Sequence, residues 1–280
     1  MKKPVLTALM GIVAVAVLAV SLWRIGATRT DVPVSDITRT EVHESDGSLQ
    51  KVLEAKQLIV GFDANFPPMC FTDNKGEIVG FDIDMAQEIC NRLGVEFVKK
   101  PILWDDKEEE LDSGKIDYIS SMSVTPVSTI TMSLSASYIK EDLIFVVGGS
   151  SKVKRMYELK GKKVGVQAGS TTQEALEALD IDDDISDVPF DNNIEIMHEL
   201  RDGKLDAGLV DSLVAYYFIS TTDDRYFVLP DSLGEEEFAL GFRRNDRDLR
   251  DRVQVILNEM KADGTFKKIS KKWFGRDITI

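Results

Sequence analysis

The stretch SSMSVTPVSTITMS, Ser120 to Ser133, carries eight hydroxyl side chains in fourteen positions and no charge, in a chain that is 29% charged. Hydroxyls at that density neither fill an apolar core nor suit a helix interior, and the stretch lacks the Gly and Lys of a phosphate loop. What they offer is hydrogen bonding to a polar guest, foremost from Ser120, Ser121 and Ser123. Three other stretches hold complementary groups: DANFPPM (63–69) with Asp63 and Phe66, AGSTTQEA (168–175), and VDSLVAYY (210–217) with Asp211. All four leave the ends of short strand-like runs, and open α/β sheets bind ligands beyond the carboxyl ends of their strands. In AGSTTQEA, Ser170 or Thr171 reads as a helix N-cap with Gln173 or Glu174 reaching back. The free N–H groups and positive end of such a helix also suit a carboxylate. Asp211 suits an ammonium group, although a lone Asp there reads first as a helix cap, and Phe66 alone reads as core.

Catalytic chemistry is not legible. His43 lies in a polar segment and His198 on a predicted helix, neither beside a nucleophile–base pattern. No acid pair is singled out by spacing, and metal-ligand spacing is absent. The expectation is therefore no enzyme, no catalytic residue, no metal and no cofactor. A net charge of -14 argues against nucleic acid as a partner, because phosphate binding needs a basic face. Cys70 and Cys90 are the only thiols; a disulfide is open to an exported chain, and two separate thiols are the preferred reading.

The elements that must position these groups follow an amphipathic pattern. MKKPVLTALMGIVAVAVLAVSLWR has two lysines, then an uncharged apolar run from Pro4 to Trp23, closed by Arg24. Twenty residues in this run match the ~30 Å hydrocarbon core of a bilayer, so 1–27 reads as a transmembrane signal anchor with the remainder exported. A cleaved signal is the alternative, with IGA (25–27) as a poor site. Residues 28–54 are polar and read as a tether. Beyond them LIVGF (58–62) has strand length, and Phe81, Met85, Ile89 and Leu93 form a helical stripe ended by Gly94. Leu249, Val253, Ile256 and Met260 form another, stopped by Gly264, and TFKKISKKWFG (265–275) follows as a short basic helix.

Two internal echoes organise the chain. LDSGKIDYISSM (111–122) matches LRDGKLDAGLVD (200–211), and LIVGFDA (58–64) matches KVGVQAG (163–169). The first pair reads as a helix end, a Gly at positive φ, and a strand turning back into a sheet. Repeated in the same order, they predict two α/β lobes built to one plan.

Taken with their order and spacing, these stretches resemble the family 3 extracellular solute-binding proteins, the amino-acid receptors of ABC importers. VGFDIDMAQEICNRLG, GKIDYISSMSVTP, LKGKKVGVQAGST, LDAGLVD and DGTFKKISKKWFG stand in the family's order across roughly residues 55–277. The resemblance implies a two-lobed, type II periplasmic-binding-protein fold with two hinge strands. Lobe 1 is expected at 55–146 and 240–280, and lobe 2 at 147–239. It also implies ligand-binding roles for Asp63, for Phe66 and Trp104 as aromatic walls, and for Ser120, Ser121 and Ser123 around the ligand head. The turn Ser170, Thr171, Thr172 is expected to take a carboxylate, and Asp211 an α-amino group.

One position departs from the pattern. The family normally reads Thr-Pro-Glu-Arg, its Arg gripping the α-carboxylate; here Thr125-Pro126-Val127-Ser128 puts Ser128 in that place. No Lys or Arg occurs between Lys115 and Lys140. Replacing a bidentate charge-assisted clamp by a hydroxyl forfeits on the order of 1.5–3 kcal/mol or more. The expected function is a membrane-tethered receptor that delivers an amino acid or related polar or amine solute to an ABC permease. A sensory or partner-binding protein with an altered cleft is the alternative, and a dehydratase-like enzyme a more distant one.

Overall fold

The computed structural model describes residues 44–179 and 185–280. The run read as a membrane anchor (1–27) and the polar segment to residue 43 lie outside the described residues. Among those described, no helix is long and apolar enough to cross a membrane.

The chain enters through α1 (Ser48–Ala55). The reading of 28–54 as tether is therefore corrected from residue 48 onward. Leu49 and Val52 of α1 are packed into the core, and Ser48 Oγ accepts the Leu249 N–H at 3.0 Å. A helix of two turns carries too few apolar positions for its periodicity to stand out.

The first lobe then runs β1 (Gln57–Phe62), β2 (Asn65–Phe66), β3 (Cys70–Thr72), β4 (Ile78–Val79), α2 (Phe81–Leu93) and β5 (Glu96–Pro101). It continues with α3 (Lys107–Asp112), β6 (Tyr118–Ser123), α4 (Pro126–Thr131) and β7 (Met132–Leu134). Strand β8 (Ile139–Gly148) crosses to the second lobe, made of β9 (Lys163–Gln167), α5 (Thr171–Glu177), β10 (Ser186–Phe190), α6 (Asn193–Arg201), β11 (Ala207–Asp211) and α7 (Ser212–Thr221). Strand β12 (Tyr226–Arg243) returns, and α8 (Arg247–Ala262) and α9 (Thr265–Phe274) close onto the first lobe.

The strands lie in the order β10-β9-β11-β8-β12-β6-β1-β5. At either end the pairs β1–β5, β1–β6, β10–β9 and β11–β9 are parallel. Between them β8 and β12 run antiparallel, β8 pairing outward to β11 and β12 to β6. These two central strands thus carry the chain between the lobes twice.

The echoed sequences have the same geometry in both lobes. Gly114 and Gly203 sit at φ 74° and 70° and end α3 and α6 by hydrogen bonding back to Leu111 and Leu200. The following lysines bond across the turn, Lys115 to Glu110 at 2.8 Å and Lys204 to Glu199 at 2.6 Å. Each motif's Asp then clamps the neighbouring strand. Asp117 Oδ2 accepts Ile59 N–H at 2.8 Å, and Asp206 Oδ2 accepts Lys163 N–H at 3.0 Å. The repeated Gly-Lys-apolar-Asp therefore fixes where β6 and β11 meet β1 and β9.

Core packing follows the predicted stripes. Phe81, Met85 and Ile89 of α2 are buried and Leu93 partly so, and Leu249, Val253, Ile256 and Met260 of α8 are buried. Cys70 and Cys90 are separate buried thiols. Burial pushes the Cys70 thiol well above its ordinary range and that of Cys90 up to about 12, so neither is a ready nucleophile.

Candidate functional site

Between the lobes lies a narrow cavity, part of it open to solvent, whose free space is about 20 Å3, roughly enough for one water. Asp63, Phe66, Trp104, Ser120, Ser121, Ser123, Ser170, Thr171 and Asp211 line it. Nine of the eleven residues singled out from the sequence thus converge on one space, reached from both lobes.

The other two support it from outside. Ser128 is buried in the N-terminal turn of α4, where its hydroxyl donates to the Ser123 carbonyl at 2.8 Å and accepts Thr125 N–H at 2.9 Å. It lines a neighbouring cavity and forms a capping box with Thr125. Its expected place on the ligand cavity is corrected on that ground: the hydroxyl is consumed by the backbone. Thr172 is buried at the start of α5, with Oγ1 2.6 Å from Ser170 Oγ.

Asp63 directly follows β1 and is buried. Its Oδ1 accepts Asn65 N–H at 2.8 Å, and its Oδ2 accepts the side-chain amide of Gln167, from the second lobe, at 2.7 Å. Gln167 Oε1 in turn accepts from Asn193 Nδ2 at 2.9 Å, and the same Nδ2 lies 3.4 Å from Asp211 Oδ2. Two amides thereby join Asp63 to Asp211 across the closure. Burial raises the pKa of Asp63, against the pull of its hydrogen bonds.

Asp211 ends β11 and occupies the N-cap position of α7, but its side chain makes no capping hydrogen bond. Beside it, Glu141 of β8 and Glu236 of β12 are paired directly across the strands. The three carboxylates bring oxygens within 4.8 Å of one another, a spacing able to hold a cation. Burial, then the neighbouring negative charges, pushes Asp211 up to about 8 and Glu141 up to about 11. Glu236 is raised chiefly by burial.

Sequence reasoning missed Gln167, Asp82 and Phe238, which also line the cavity, and the glutamates behind it. Asp82 opens α2 and is fully enclosed, accepting from Ser121 Oγ at 2.7 Å and Tyr138 Oη at 3.0 Å. Burial pushes it up to about 7. Its signal was a charge preceding a helical stripe, which reads equally as a solvated first turn. Phe238 meets Phe66 edge-on at 5.9 Å, forming one apolar wall.

The sole described basic residue lining either this cavity or the one beside it is Lys107. Its Nζ donates to the Gly169 carbonyl across the lobes at 2.8 Å and lies 5.3 Å from the Trp104 ring centre. Burial lowers its pKa, so the cation is held there at a desolvation cost. Arg155 faces Asp231 at 3.5 Å, away from the cavity lining.

Residues 58–276 match the bacterial extracellular solute-binding proteins, family 3. The chain belongs to that family. Among its relatives, the L-cystine-binding protein TcyJ of Escherichia coli (strain K12) is 33% identical over 237 residues, 84% of this chain and 88% of that protein. The crystal structure of Tv2483 bound to L-arginine superposes with a TM-score of 0.81 at 28% identity, covering 85% of this chain and 98% of the other. An ABC uptake transporter substrate binding protein from Streptococcus pneumoniae with bound histidine gives 0.78 at 31% identity, over 84% and 98% of the two chains. This family 3 solute-binding protein thus shares the two-lobed α/β fold of those receptors.

Proposed function

We propose that this chain is the extracytoplasmic receptor of an ABC uptake system, closing its two lobes on an amino acid or a related small polar or amine solute. The observation that carries the reading is the inter-lobe cavity, where three acidic side chains, a hydroxyl-rich strand end and aromatic walls converge. Asp63, Phe66, Trp104, Ser120, Ser121, Ser123, Ser170, Thr171 and Asp211 are proposed to contact the solute. The cystine, arginine and histidine named for its relatives support an amino-acid-like guest.

Lobe 1 is assigned to 55–146 and 240–280 and lobe 2 to 147–239, with the hinge in the shared strands β8 and β12. The N-terminal run 1–27 is proposed to anchor the receptor beside its permease, which raises the effective concentration of loaded receptor at the transporter. Carbonate extraction of cell membranes tests this: the anchored chain stays in the pellet, whereas release into the supernatant or medium defeats the anchor.

Ligand binding is tested by melting the full-length chain against the twenty amino acids and a panel of amines. A ligand at about 100 times its Kd adds about 2.7 kcal/mol and raises the melting temperature by several degrees. No shift with any compound defeats the receptor reading.

A further inference from the structure

We propose that the solute is a small organic cation carrying an amine or guanidinium group and no carboxylate. This narrows the receptor reading above to one substrate class and rests on it.

Charge is the first argument. Asp63, Asp82 and Asp211 line the cavity, and no Lys, Arg or His is among the described residues that do. Behind Asp211 stand Glu141 and Glu236, only 5% and 8% exposed. Glu141 Oε2 is held by the Ser212 N–H and hydroxyl, and Glu236 Oε1 by the Thr171 hydroxyl at 2.7 Å. The remaining oxygens, Glu141 Oε1 and Glu236 Oε2, have no donor. Crowding and burial bias these acids toward their protonated forms while the cavity is empty, and buried acceptors without donors are costly. A cation docked at Asp211 would favour its ionised form and lower the cost of crowding three acids together.

Donor supply is the second argument. A carboxylate guest needs donors, and several of those near the cavity are engaged, the Ser120 hydroxyl being a donor on the lining with no hydrogen-bond partner. Thr171 donates to Glu236, Ser121 donates to Asp82, and Ser128 is bonded to the turn it caps. Lys107 Nζ is held by the Gly169 carbonyl on the neighbouring cavity. A guest carboxylate would therefore face three acidic side chains with no charged partner on the lining. Phe66, Trp104 and Phe238 supply instead the aromatic faces that attract a desolvated cation.

Three pairs of probes that differ by one carboxylate test the proposal on the full-length chain: arginine and agmatine, lysine and cadaverine, histidine and histamine. Isothermal calorimetry is expected to give at least tenfold tighter binding of the decarboxylated member in one or more pairs. A smaller preference, or a preference for the amino acid in every pair that binds, overturns the proposal. If that preference for the amino acid disappears in Lys107→Ala, Lys107 is the carboxylate partner and the proposal is again overturned. Binding of a neutral amino acid with none of the six probes bound overturns this inference and leaves the receptor reading standing. Silence from every amino acid and amine removes both.

Discussion

The carboxylate of Asp63, on one lobe, accepts a 2.7 Å hydrogen bond from the side-chain amide of Gln167, on the other. Through Asn193 the same amide chain reaches Asp211, so two of the cavity's three acids are coupled across the closure. Gln167→Leu keeps the volume but removes donor and acceptor, leaving Asp63 and Asn193 buried without that partner. The closed form should lose about 1–3 kcal/mol relative to the open one. Small-angle scattering of the ligand-free variant should show a larger radius of gyration than the wild type; identical curves would show that the bond does not hold the lobes together.

Gly169 governs how closely the lobes approach. Its φ of 67° is left-handed, and a Cβ built there would lie 2.5 Å from Asp105 Oδ1 on the opposite lobe. Gly169→Ala should therefore hinder closure while leaving each lobe's core intact. The expected result is faster solute release and at least tenfold weaker binding, with the ligand-free melting temperature within a few degrees of wild type. Unchanged affinity would show that closure tolerates the methyl group.

Ser128 has been assigned to the turn it caps and not to the solute. Ser128→Ala removes its side-chain bonds to Thr125 N–H and the Ser123 carbonyl. As the third residue of α4, Ser128 supplies a hydrogen bond whose loss costs about 0.5–1.5 kcal/mol, measurable by urea titration. Solute affinity should change less than threefold. A tenfold loss with stability intact would return Ser128 to the ligand.

Stability should fall as pH rises through the acid-to-neutral range. Asp82 moves from an ordinary 3.8 up to about 7, and Asp211 from 3.8 up to about 8. Between those values the folded chain holds protons that the unfolded chain has released, so each contribution is complete below about pH 4 and fades as pH climbs through the raised value. Melting of the ligand-free chain should drop steadily between pH 4 and pH 8, with a shallower slope in Asp82→Asn. A flat profile would mean that these acids are ionised in the folded protein.

The sequence made the scaffold legible because its markers are local. Gly114 and Gly203 end helices within four residues of the acids that clamp the next strands, and the helix stripes repeat at fixed spacing. The strand-end groups of the cavity were legible for the same reason, each lying just beyond an apolar run. What stayed hidden depends on distant pairing. Glu141 sits in IKEDLIF, whose alternation reads as a half-solvated strand, and Glu236 is one of three successive glutamates. Only the antiparallel register of β8 and β12 sets them opposite each other, beside Asp211. Gln167 looked like an ordinary strand end, because its partner Asp63 lies 104 positions away. Ser128 was read through the residue it replaces, although Thr125-Pro126-Val127-Ser128 is itself a helix-start signal.

The most direct test titrates agmatine, cadaverine and histamine into the full-length chain and into an Asp63→Asn/Asp211→Asn double variant. The account predicts saturable one-to-one binding of at least one amine by the wild type, and at least a hundredfold loss in the variant. Equal affinity in both chains, or no heat from any of the three in the wild type, would contradict it.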